Sequence, residues 1–415
     1  MKESDWKGMR LQLAGLSVYR QVLNTPVAGA LARLLSEREW EPCALARAYA
    51  DVFCACGAAG CLNGPAGEVE AAVLRDDNPY TRCLAAGHTP DSLLETTALR
   101  DIKALAALVR LDPSSLGKYL LGADLPDAFP LWSPGVSGPL FQNTSDDALR
   151  SFLHDYHRKK GCGIYSVYAG FFWKDGMIPI LHGDPVTLDD LKGYELPRQK
   201  VIENTENFLH GFKASNLLLY GDRGTGKSST VHAVLNRYRE EGLRMLELPK
   251  DGLRELPRIS EELGRLPFKF IIFIDDLSFS EADDSFGALK AVLEGSLAAR
   301  PDNLLIYATS NRRHLVRESH ADRQGDEVHA LDAMQEQLSL ADRFGITVTF
   351  INPNRTQFYE ILDGLAADRQ IKTDPEILHA AAERWALSRG GRSPRVARQF
   401  MDYAQSRILR GLPLD

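Results

Sequence analysis

The sequence is poor in cysteine and aromatic residues. Only six of its 415 residues are cysteine and 8% are aromatic, whereas apolar residues make up 44% and charged residues 25%. These proportions exclude a disulfide scaffold, a collagen-like chain and a disordered chain. A chain of this length forms two or three domains and buries a sizeable core without cross-links.

Positive charge is not in excess, and long uncharged apolar runs are missing. With 49 Lys and Arg against 56 Asp and Glu, the net charge of −7 argues against a protein that coats nucleic acid. The most apolar stretch, Cys43 to Cys61, contains Arg47 and Asp51 and predicts a buried helix rather than a membrane span. The first six residues show no apolar signal region, so we expect a cytoplasmic protein with reduced thiols.

The hydrophobic pattern divides the chain into four parts. Residues 1–160 predict a mainly helical domain, and residues 161–185 predict a β-hairpin-like connector with a turn at Asp175–Gly176. Strands and helices alternate over residues 186–352, which predicts a parallel sheet covered on both faces, and residues 353–415 show only helical patterns. The predicted strands are Ile164–Tyr168, Met177–Leu181, Asn216–Tyr220, Arg244–Leu248, Phe268–Ile274, Asn303–Thr309 and Ile346–Ile351.

A glycine-rich segment after the strand that ends at Tyr220 matches the phosphate-loop pattern G-x-x-x-x-G-K-[ST]. Glycines let backbone N–H groups turn towards a phosphate, and the helix that follows adds a positive potential. We expect Lys227 to reach the β- and γ-phosphates and the Ser228 hydroxyl to bind Mg²⁺. The nucleotide-binding residues predicted here are Gly221, Asp222, Arg223, Gly224, Thr225, Gly226, Lys227, Ser228 and Ser229.

Polar side chains also end two later strands. Asp275 and Asp276 follow a buried strand; we expect Asp275 to hold Mg²⁺ through water and Asp276 to polarise the attacking water. Asn311 follows the next strand, where a neutral polar side chain can bond both that water and the γ-phosphate. An asparagine in such a place is, on its own, more often a turn residue.

The order of these motifs resembles that of an AAA+ ATPase. The phosphate loop matches the Walker A motif of that family, Asp275 and Asp276 match its Walker B motif, and Asn311 matches its sensor 1. Arg343 and Arg395 match the arginine finger and sensor 2. Four segments also resemble an uncharacterised bacterial family of AAA+ ATP-binding proteins of unknown function. They are TLDDLKGY at 187–194, AARPDN at 298–303, ATSNRRH at 308–314 and SLADRFG at 339–345.

The resemblance implies an α/β core, with a five-stranded parallel sheet in the order 5-1-4-3-2 and a C-terminal helical lid. It also implies that Gly193 and Tyr194 lie on the adenine side of the nucleotide. Arg343 would reach the γ-phosphate of a neighbouring subunit, so that the active site is complete only in a homo-oligomer. For sensor 2 we select Arg395, with Arg392 and Arg398 as rivals.

The second acid departs from the common pattern, because many hydrolytic members have glutamate where this chain has Asp276. Paired aspartates also occur in the replication-initiator and helicase-loader branch, whose members often act as slow ATP-dependent switches. The resemblance therefore leaves the turnover rate open, although it predicts nucleotide binding.

Three other clusters are weaker signals. Four cysteines between Cys54 and Cys83 match no zinc template and predict buried thiols. The histidines at 314, 320 and 329 lie among charged residues that predict a solvated loop. Seven arginines and one acid occupy Arg384 to Arg410; they either divide between sensor 2, lid ion pairs and solvent, which we favour, or form a phosphate-backbone contact surface.

The sequence thus predicts a Mg²⁺-dependent ATP hydrolase that drives or switches an interaction with an unidentified protein or nucleic-acid partner. The alternative is an ATP-gated adaptor or loader with negligible hydrolysis. A small-molecule P-loop kinase is disfavoured by the sensor-2-like lid and by the lack of an evident acceptor site.

Overall fold

The computed structural model forms two compact units, Met1–Val167 and Tyr168–Asp415. It describes residues 3–36, 41–62, 64–121, 132, 135, 137–143, 145–277, 287, 289, 293, 301–311 and 343–414. None of the helices in these ranges is both long and apolar enough to span a membrane. The finer division at residues 160, 185 and 352 stays a prediction.

The first unit is helical, as its sequence predicts. Its helices are α1 (Glu3–Ala14), α2 (Pro26–Ser36), α3 (Pro42–Ala58), α4 (Ala66–Arg75), α5 (Pro79–Ala85), α6 (Ser92–Val109), α7 (Pro113–Leu121), α8 (Pro139–Gln142) and α9 (Asp146–Lys160). Helix α6 begins after Asp91, whose carboxylate accepts from the backbone N–H of Leu93. Helix α3 buries only one face: Cys56 is buried, but the expectation of a buried thiol is wrong for Cys54, which is exposed.

The second unit is built on a sheet with the order β2-β1-β4-β5-β6-β3-β7 among the described residues. The strands are β1 (Gly170–Trp173), β2 (Met177–Pro179), β3 (Leu217–Gly221), β4 (Leu243–Glu247), β5 (Lys269–Ile274), β6 (Leu304–Ser310) and β7 (Ile346–Phe350). Strands β3 to β7 are all parallel to their neighbours and follow the order 5-1-4-3-2 when numbered from β3. The predicted fold class and strand order of the core are therefore confirmed.

A hairpin extends this sheet beyond β4, with β1 parallel to β4 and β2 antiparallel to β1. The turn at Asp175–Gly176 lies where the sequence predicts it. The predicted strand at Ile164–Tyr168 is wrong, because Gly163–Ser166 forms a 3-10 turn. The strand instead lies at Gly170–Trp173. Phe171 and Trp173, two residues apart, point to the same face of the sheet and are buried there.

Helices α10 (Glu195–Leu209), α11 (Lys227–Tyr238) and α12 (Leu256–Gly264) connect the strands, and α13 (Arg355–Asp368), α14 (Pro375–Ser388) and α15 (Pro394–Leu409) follow β7. The last three helices share an apolar core that includes Phe358, Leu362 and Phe400, in agreement with the predicted helical C-terminal part. On α14, the sequence predicts an apolar stripe that begins with Ile377, Leu378 and Ala381. Leu378 and Ala381 are buried, but the prediction is wrong for Ile377, which is 55% exposed.

Candidate nucleotide-binding site

A cavity of about 620 Å³ lies where β3, β5 and β6 end, bordered by the first turn of α15. The residues predicted from the sequence that line it are Arg223, Gly224, Thr225, Gly226, Lys227, Ser228, Ser229, Asp275, Asp276, Asn311 and Arg395. Its lining also includes Leu191, Thr309, Pro394, Arg398, Gln399 and Asp402, which were not predicted as site residues, although Arg398 was a rival for sensor 2.

The loop between β3 and α11 has the backbone of an anion site. Gly224 and Gly226 adopt φ angles of 78° and 90°, a region that favours glycine. Within the described residues, the backbone N–H groups of Gly224, Thr225 and Gly226 donate to no acceptor. These donors stand at the N-terminus of α11, where the helix dipole favours negative charge.

Lys227 is held across the mouth of this loop. Its Nζ donates to the carbonyl oxygens of Gly221 and Asp222 at 3.0 and 2.7 Å, and to Asn311 Oδ1 at 3.0 Å. Burial lowers the pKa of the Lys227 ammonium, and nearby carboxylates, Asp222 first among them, oppose that shift. These three acceptors are neutral. A bound phosphate would therefore give the buried Lys227 cation an anionic partner.

Ser228 and Asp275 form a pair of oxygen ligands. The Ser228 hydroxyl donates to Asp275 Oδ1 at 2.7 Å, so the first turn of α11 meets the end of β5. Hydroxyl and carboxylate oxygens are the ligands that Mg²⁺ prefers, and it usually shares such a site with substrate phosphates. The two side chains beside the open N–H groups of the loop therefore fit Mg²⁺ with a nucleotide.

Asp276 and Asn311 form a second pair. Asn311 Nδ2 donates to Asp276 Oδ1 at 2.6 Å. Asp276 has a φ angle of 50°, in the left-handed region that aspartate tolerates better than most residues. Both side chains line the same cavity as Lys227, so the structure brings the predicted acid and the predicted sensor together.

Thr309 is a polar residue of this site that the sequence reasoning missed. Its hydroxyl donates to Asp275 Oδ1 at 2.5 Å and accepts from the backbone N–H of Asp276 at 2.9 Å. The strand period of two is a signal that could have found it, because it places residue 309, near the end of β6, on the same side of the chain as residue 311 just beyond the strand.

The arginines near the start of α15 separate into two groups. Arg395 and Arg398 line the cavity; Arg395 N–H also donates to Gly224 O at 3.1 Å, and Arg398 Nη2 donates to Asp190 O at 3.1 Å. Arg392 instead donates three hydrogen bonds to Glu383, at 2.9, 3.2 and 3.0 Å, and is not among the described residues that line the cavity. Of the two rivals for sensor 2, only Arg398 therefore shares the cavity with Arg395.

Other arginines of the Arg384 to Arg410 cluster have partners within the last helices. Arg389 lies over the Trp385 ring, and Arg384 donates to the carbonyl oxygen of Leu414. Arg407 lies over the Tyr403 ring. This distribution favours packing and nucleotide contact over a phosphate-backbone surface.

Gly193 and Tyr194 lie beside a narrow cleft next to the loop. Tyr194 stacks on Phe350 with ring centroids 5.4 Å apart, and its hydroxyl donates to Ile351 O at 2.6 Å. Gly193 has a φ angle of 72°, and a Cβ there would lie 3.0 Å from the Ile361 side chain of α13. The cleft is lined in part by Tyr194, Phe350 and Ile361.

Arg343 lies apart from this group of residues. It is three residues before β7, whose first residue Ile346 pairs with Leu217 at the start of β3. The phosphate loop follows the other end of β3, so the strand separates the two by roughly 13 Å at 3.3 Å per residue. The sequence from 331 to 340 predicts a helix before Arg343, but this stretch and the histidines at 314, 320 and 329 lie outside the described residues.

The first unit contains a separate cavity of about 870 Å³, with a largely apolar lining that includes Leu11 and Tyr119. Lys7, Arg10 and Arg33 are also among its described lining residues, which include no carboxylate. Its lining includes the Ser36 hydroxyl, but among the described lining residues no carboxylate accompanies it, unlike the Ser228–Asp275 pair of the second unit.

Comparison with known families identifies the second unit. A family model described as "Protein of unknown function (DUF815)" matches residues 166–408, which is more than half of the chain. The chain belongs to the DUF815 family. With the sheet order and loop described above, the DUF815 chain is an AAA+ protein of uncharacterised function.

Similar proteins of known name share part of this chain. The replication factor C large subunit of Nanoarchaeum equitans is 25% identical over 204 residues, which cover 47% of the DUF815 chain and 41% of that protein. Human replication factor C subunit 5 is 32% identical over 120 residues, or 26% and 34% of the two chains. The DUF815 chain thus spans less than half the length of these curated relatives.

Among solved structures, the Thermotoga maritima RuvB Holliday junction branch migration motor is similar, with a TM-score of 0.39 and 17% identity. The match covers 54% of the DUF815 chain and 66% of that protein.

Proposed function

We propose that this chain binds Mg·ATP and hydrolyses it to ADP and phosphate, and that the cycle drives or switches contact with a protein or nucleic-acid partner. The observation that carries the proposal is the loop at the carboxyl end of β3. Its backbone N–H groups are open, and the buried Lys227 lies beside the Ser228–Asp275 pair. The AAA+ relatives support ATP-driven activity in general.

We assign a different role in ATP hydrolysis to each group of residues that lines the cavity. Gly224 to Gly226 and Lys227 bind the phosphates, and Ser228 and Asp275 hold Mg²⁺, which neutralises phosphate charge when bound. Asp276 polarises the attacking water, and Asn311, which already contacts Asp276, orients it. Arg395 approaches the nucleotide from the lid and stabilises the charge that develops on the γ-phosphate.

The position of Arg343 supports a role in an assembly. It lies at the opposite edge of the sheet from its own phosphate loop, too far for its side chain to reach that loop. In a homo-oligomer, the same arginine of a neighbouring subunit would complete the site. We propose this arrangement together with the four-part division of the chain, in which residues 353–415 form the lid.

Nucleotide binding is tested with the loop cation. Lys227→Ala removes the buried positive charge, and we expect ATP affinity measured by calorimetry to fall by at least about 100-fold. The control is Lys213→Ala, an exposed lysine close in sequence to β3, which should bind ATP like the unaltered chain. Equal affinity in both variants would remove the phosphate-loop assignment.

A second function, an ATP-gated adaptor with negligible hydrolysis, is favoured by one observation. The shorter acid Asp276 is already bonded to Asn311 and has a left-handed backbone, so it is less free to activate water. Single-turnover hydrolysis, measured with and without candidate partners, separates the two functions. A partner whose affinity depends on ATP while no phosphate is released would support the adaptor.

A further inference from the structure

The hydroxyl of Thr309 touches both acids of the site. It donates to Asp275 Oδ1 and accepts from the backbone N–H of Asp276, at 2.5 and 2.9 Å. The Thr309 side chain is nearly inaccessible, since the residue is 2% exposed. One hydroxyl has one proton to donate and can accept at the same time, so this geometry uses both of its capacities.

Thr309 also accepts hydrogen bonds from the residues that follow β5, beyond the last residue pair of β5 and β6. Ile274 is the last β5 residue in register with β6, opposite Ala308. Beyond it, the Leu277 N–H donates to the Thr309 carbonyl oxygen at 2.7 Å. Between these two points, the Asp276 N–H is bonded to the Thr309 side chain rather than to a backbone carbonyl.

This bond matters because of the backbone at Asp276. Its φ angle of 50° turns the chain away from the extended path of β5. A left-handed residue other than glycine persists only when its surroundings fix it. Among the described residues, the Thr309 hydroxyl accepts from the Asp276 N–H and the Asn311 amide donates to the Asp276 carboxylate, so Asp276 is held at both groups.

Asp275 is fixed by the same hydroxyl. Its Oδ1 accepts from both Thr309 and Ser228, which come from β6 and α11. If Ser228 were to turn from Asp275 towards a bound Mg²⁺, the hydrogen bond from Thr309 would still fix the orientation of the carboxylate. Carboxylates that bind metal ions are usually oriented by such outer hydrogen bonds.

We propose that Thr309 is a positioning residue that presets Asp275 for Mg²⁺ and Asp276 for the attacking water. The inference rests on the proposed function. It predicts that losing the hydroxyl weakens the Mg²⁺-dependent part of ATP binding and slows hydrolysis, while ATP binding without Mg²⁺ is retained.

The test compares Thr309→Val, which keeps the branched shape but has no hydroxyl, with Thr309→Ser, which keeps the hydroxyl. In the full chain without nucleotide, amide exchange should be about tenfold faster at Asp276 in Thr309→Val, and near the parent rate in Thr309→Ser. Calorimetry with ATP in EDTA should give equal affinities for all three proteins. With excess Mg²⁺, the gain in affinity should fall by about tenfold in Thr309→Val alone.

The outcomes distinguish nucleotide binding by the chain from the positioning role of Thr309. A parent chain that shows no Mg²⁺-dependent ATP binding overturns the proposed function and this inference with it. A parent chain that binds Mg·ATP, with Thr309→Val equal to it in exchange and in Mg²⁺ dependence, overturns this inference alone. Equal loss in Thr309→Val and Thr309→Ser also overturns it, because keeping the hydroxyl in Thr309→Ser would then not preserve the site.

If Thr309→Val does not fold, Thr309→Ala serves as a smaller replacement without the hydroxyl, and the same expectations apply to it.

Discussion

Asn311 joins Lys227 to Asp276. Its amide nitrogen donates to Asp276 Oδ1 at 2.6 Å, and its amide oxygen accepts from Lys227 Nζ at 3.0 Å. An amide serves both neighbours because it has a donor at one end and an acceptor at the other. A phosphate that attracts Lys227 would weaken the contact of Asn311 with Lys227 and leave its contact with Asp276. Asn311 therefore connects the phosphate-binding lysine to the acid that we propose polarises water.

This contact suggests how an isosteric change at Asp276 will behave. Asp276→Asn keeps the size of the side chain and an oxygen that can accept from Asn311, so we expect ATP affinity within about threefold of the parent. The neutral amide cannot take a proton from water, so turnover should fall by about 10² to 10⁴. Calorimetry and phosphate release measure the two effects separately.

The matched control is Asp302→Asn, an exposed acid just before β6 and therefore at the opposite edge of the sheet. It should leave both binding and turnover unchanged. Hydrolysis at the parent rate by Asp276→Asn would show that another group activates the water.

The core strands and the phosphate loop were predictable because their signals are local. A run of apolar residues such as Phe270 to Ile274, bounded by charge, indicates a buried strand without knowledge of its neighbours. The loop pattern needs only eight consecutive residues. The order of the strands came from the family resemblance, and the sheet confirms it.

The parts that were not predicted depend on contacts between distant residues. The bond from the Asp276 N–H to Thr309 joins residues 33 apart, and that from the Asn352 N–H to Asp222 Oδ2 joins residues 130 apart. No local pattern reports such pairs. The first hairpin strand begins later in the chain than the sequence predicts. The β-branched residues Ile164 and Val167 favour a strand, yet both are exposed in the structure.

Gly221 offers a test of close packing at the phosphate loop. Its φ angle is 139°, and a Cβ there would lie 1.9 Å from the carbonyl oxygen of Phe350 on β7. Gly221→Ala must therefore move one strand or the loop, and we expect a loss of more than about 2 kcal/mol in the free energy of unfolding. Thermal or denaturant unfolding of the full chain measures it.

The control for backbone strain alone is Gly242→Ala. Gly242 also has a positive φ angle, 96°, but a Cβ there would meet no atom within 4 Å. We expect the free energy of unfolding of Gly242→Ala to fall by about 1 kcal/mol, because only the left-handed conformation is unfavourable for alanine there. Equal losses in the two variants would show that the contact with Phe350 is relieved without cost.

We expect His157 to make the stability of the first unit depend on pH. It is fully buried in α9, its Nδ1 donates to Gly161 O at 2.8 Å, and its Nε2 has no partner among the described residues. Burial lowers the pKa of His157 to about 4 from its ordinary value of 6.5. Between these values the unfolded chain takes up a proton that the folded chain does not, so stability falls as the pH falls.

From about pH 7.5 to about pH 5, this single group should remove about 2 kcal/mol of stability. His157→Phe abolishes the titration, and its denaturation midpoint should therefore change less between these pH values than that of the parent. His88→Gln, at an exposed histidine of the same unit, should retain the parent's pH dependence. A parent-like pH dependence in His157→Phe would assign the effect to other groups.

Arg343 allows the proposed assembly to be tested by mixing. Because it lies at the far edge of the sheet from its own loop, Arg343→Ala should leave ATP binding by the individual chain intact. Hydrolysis should fall by about 10³ or more, since an arginine finger supplied in trans is worth that much where it acts. Arg20→Ala, at an exposed arginine of the first unit, controls for the loss of one positive charge.

The mixture combines Arg343→Ala chains with Lys227→Ala chains, each inactive alone. In a homo-oligomer, some interfaces then contain an intact loop from one chain and an intact Arg343 from the other, so partial phosphate release should return. The activity of the unaltered chain should also rise faster than linearly with protein concentration, because the competent species is an assembly. A structural Arg343 predicts a different pattern: a lowered melting temperature, no rescue on mixing and activity proportional to concentration. That pattern would remove the shared active site and leave the nucleotide-binding loop in place.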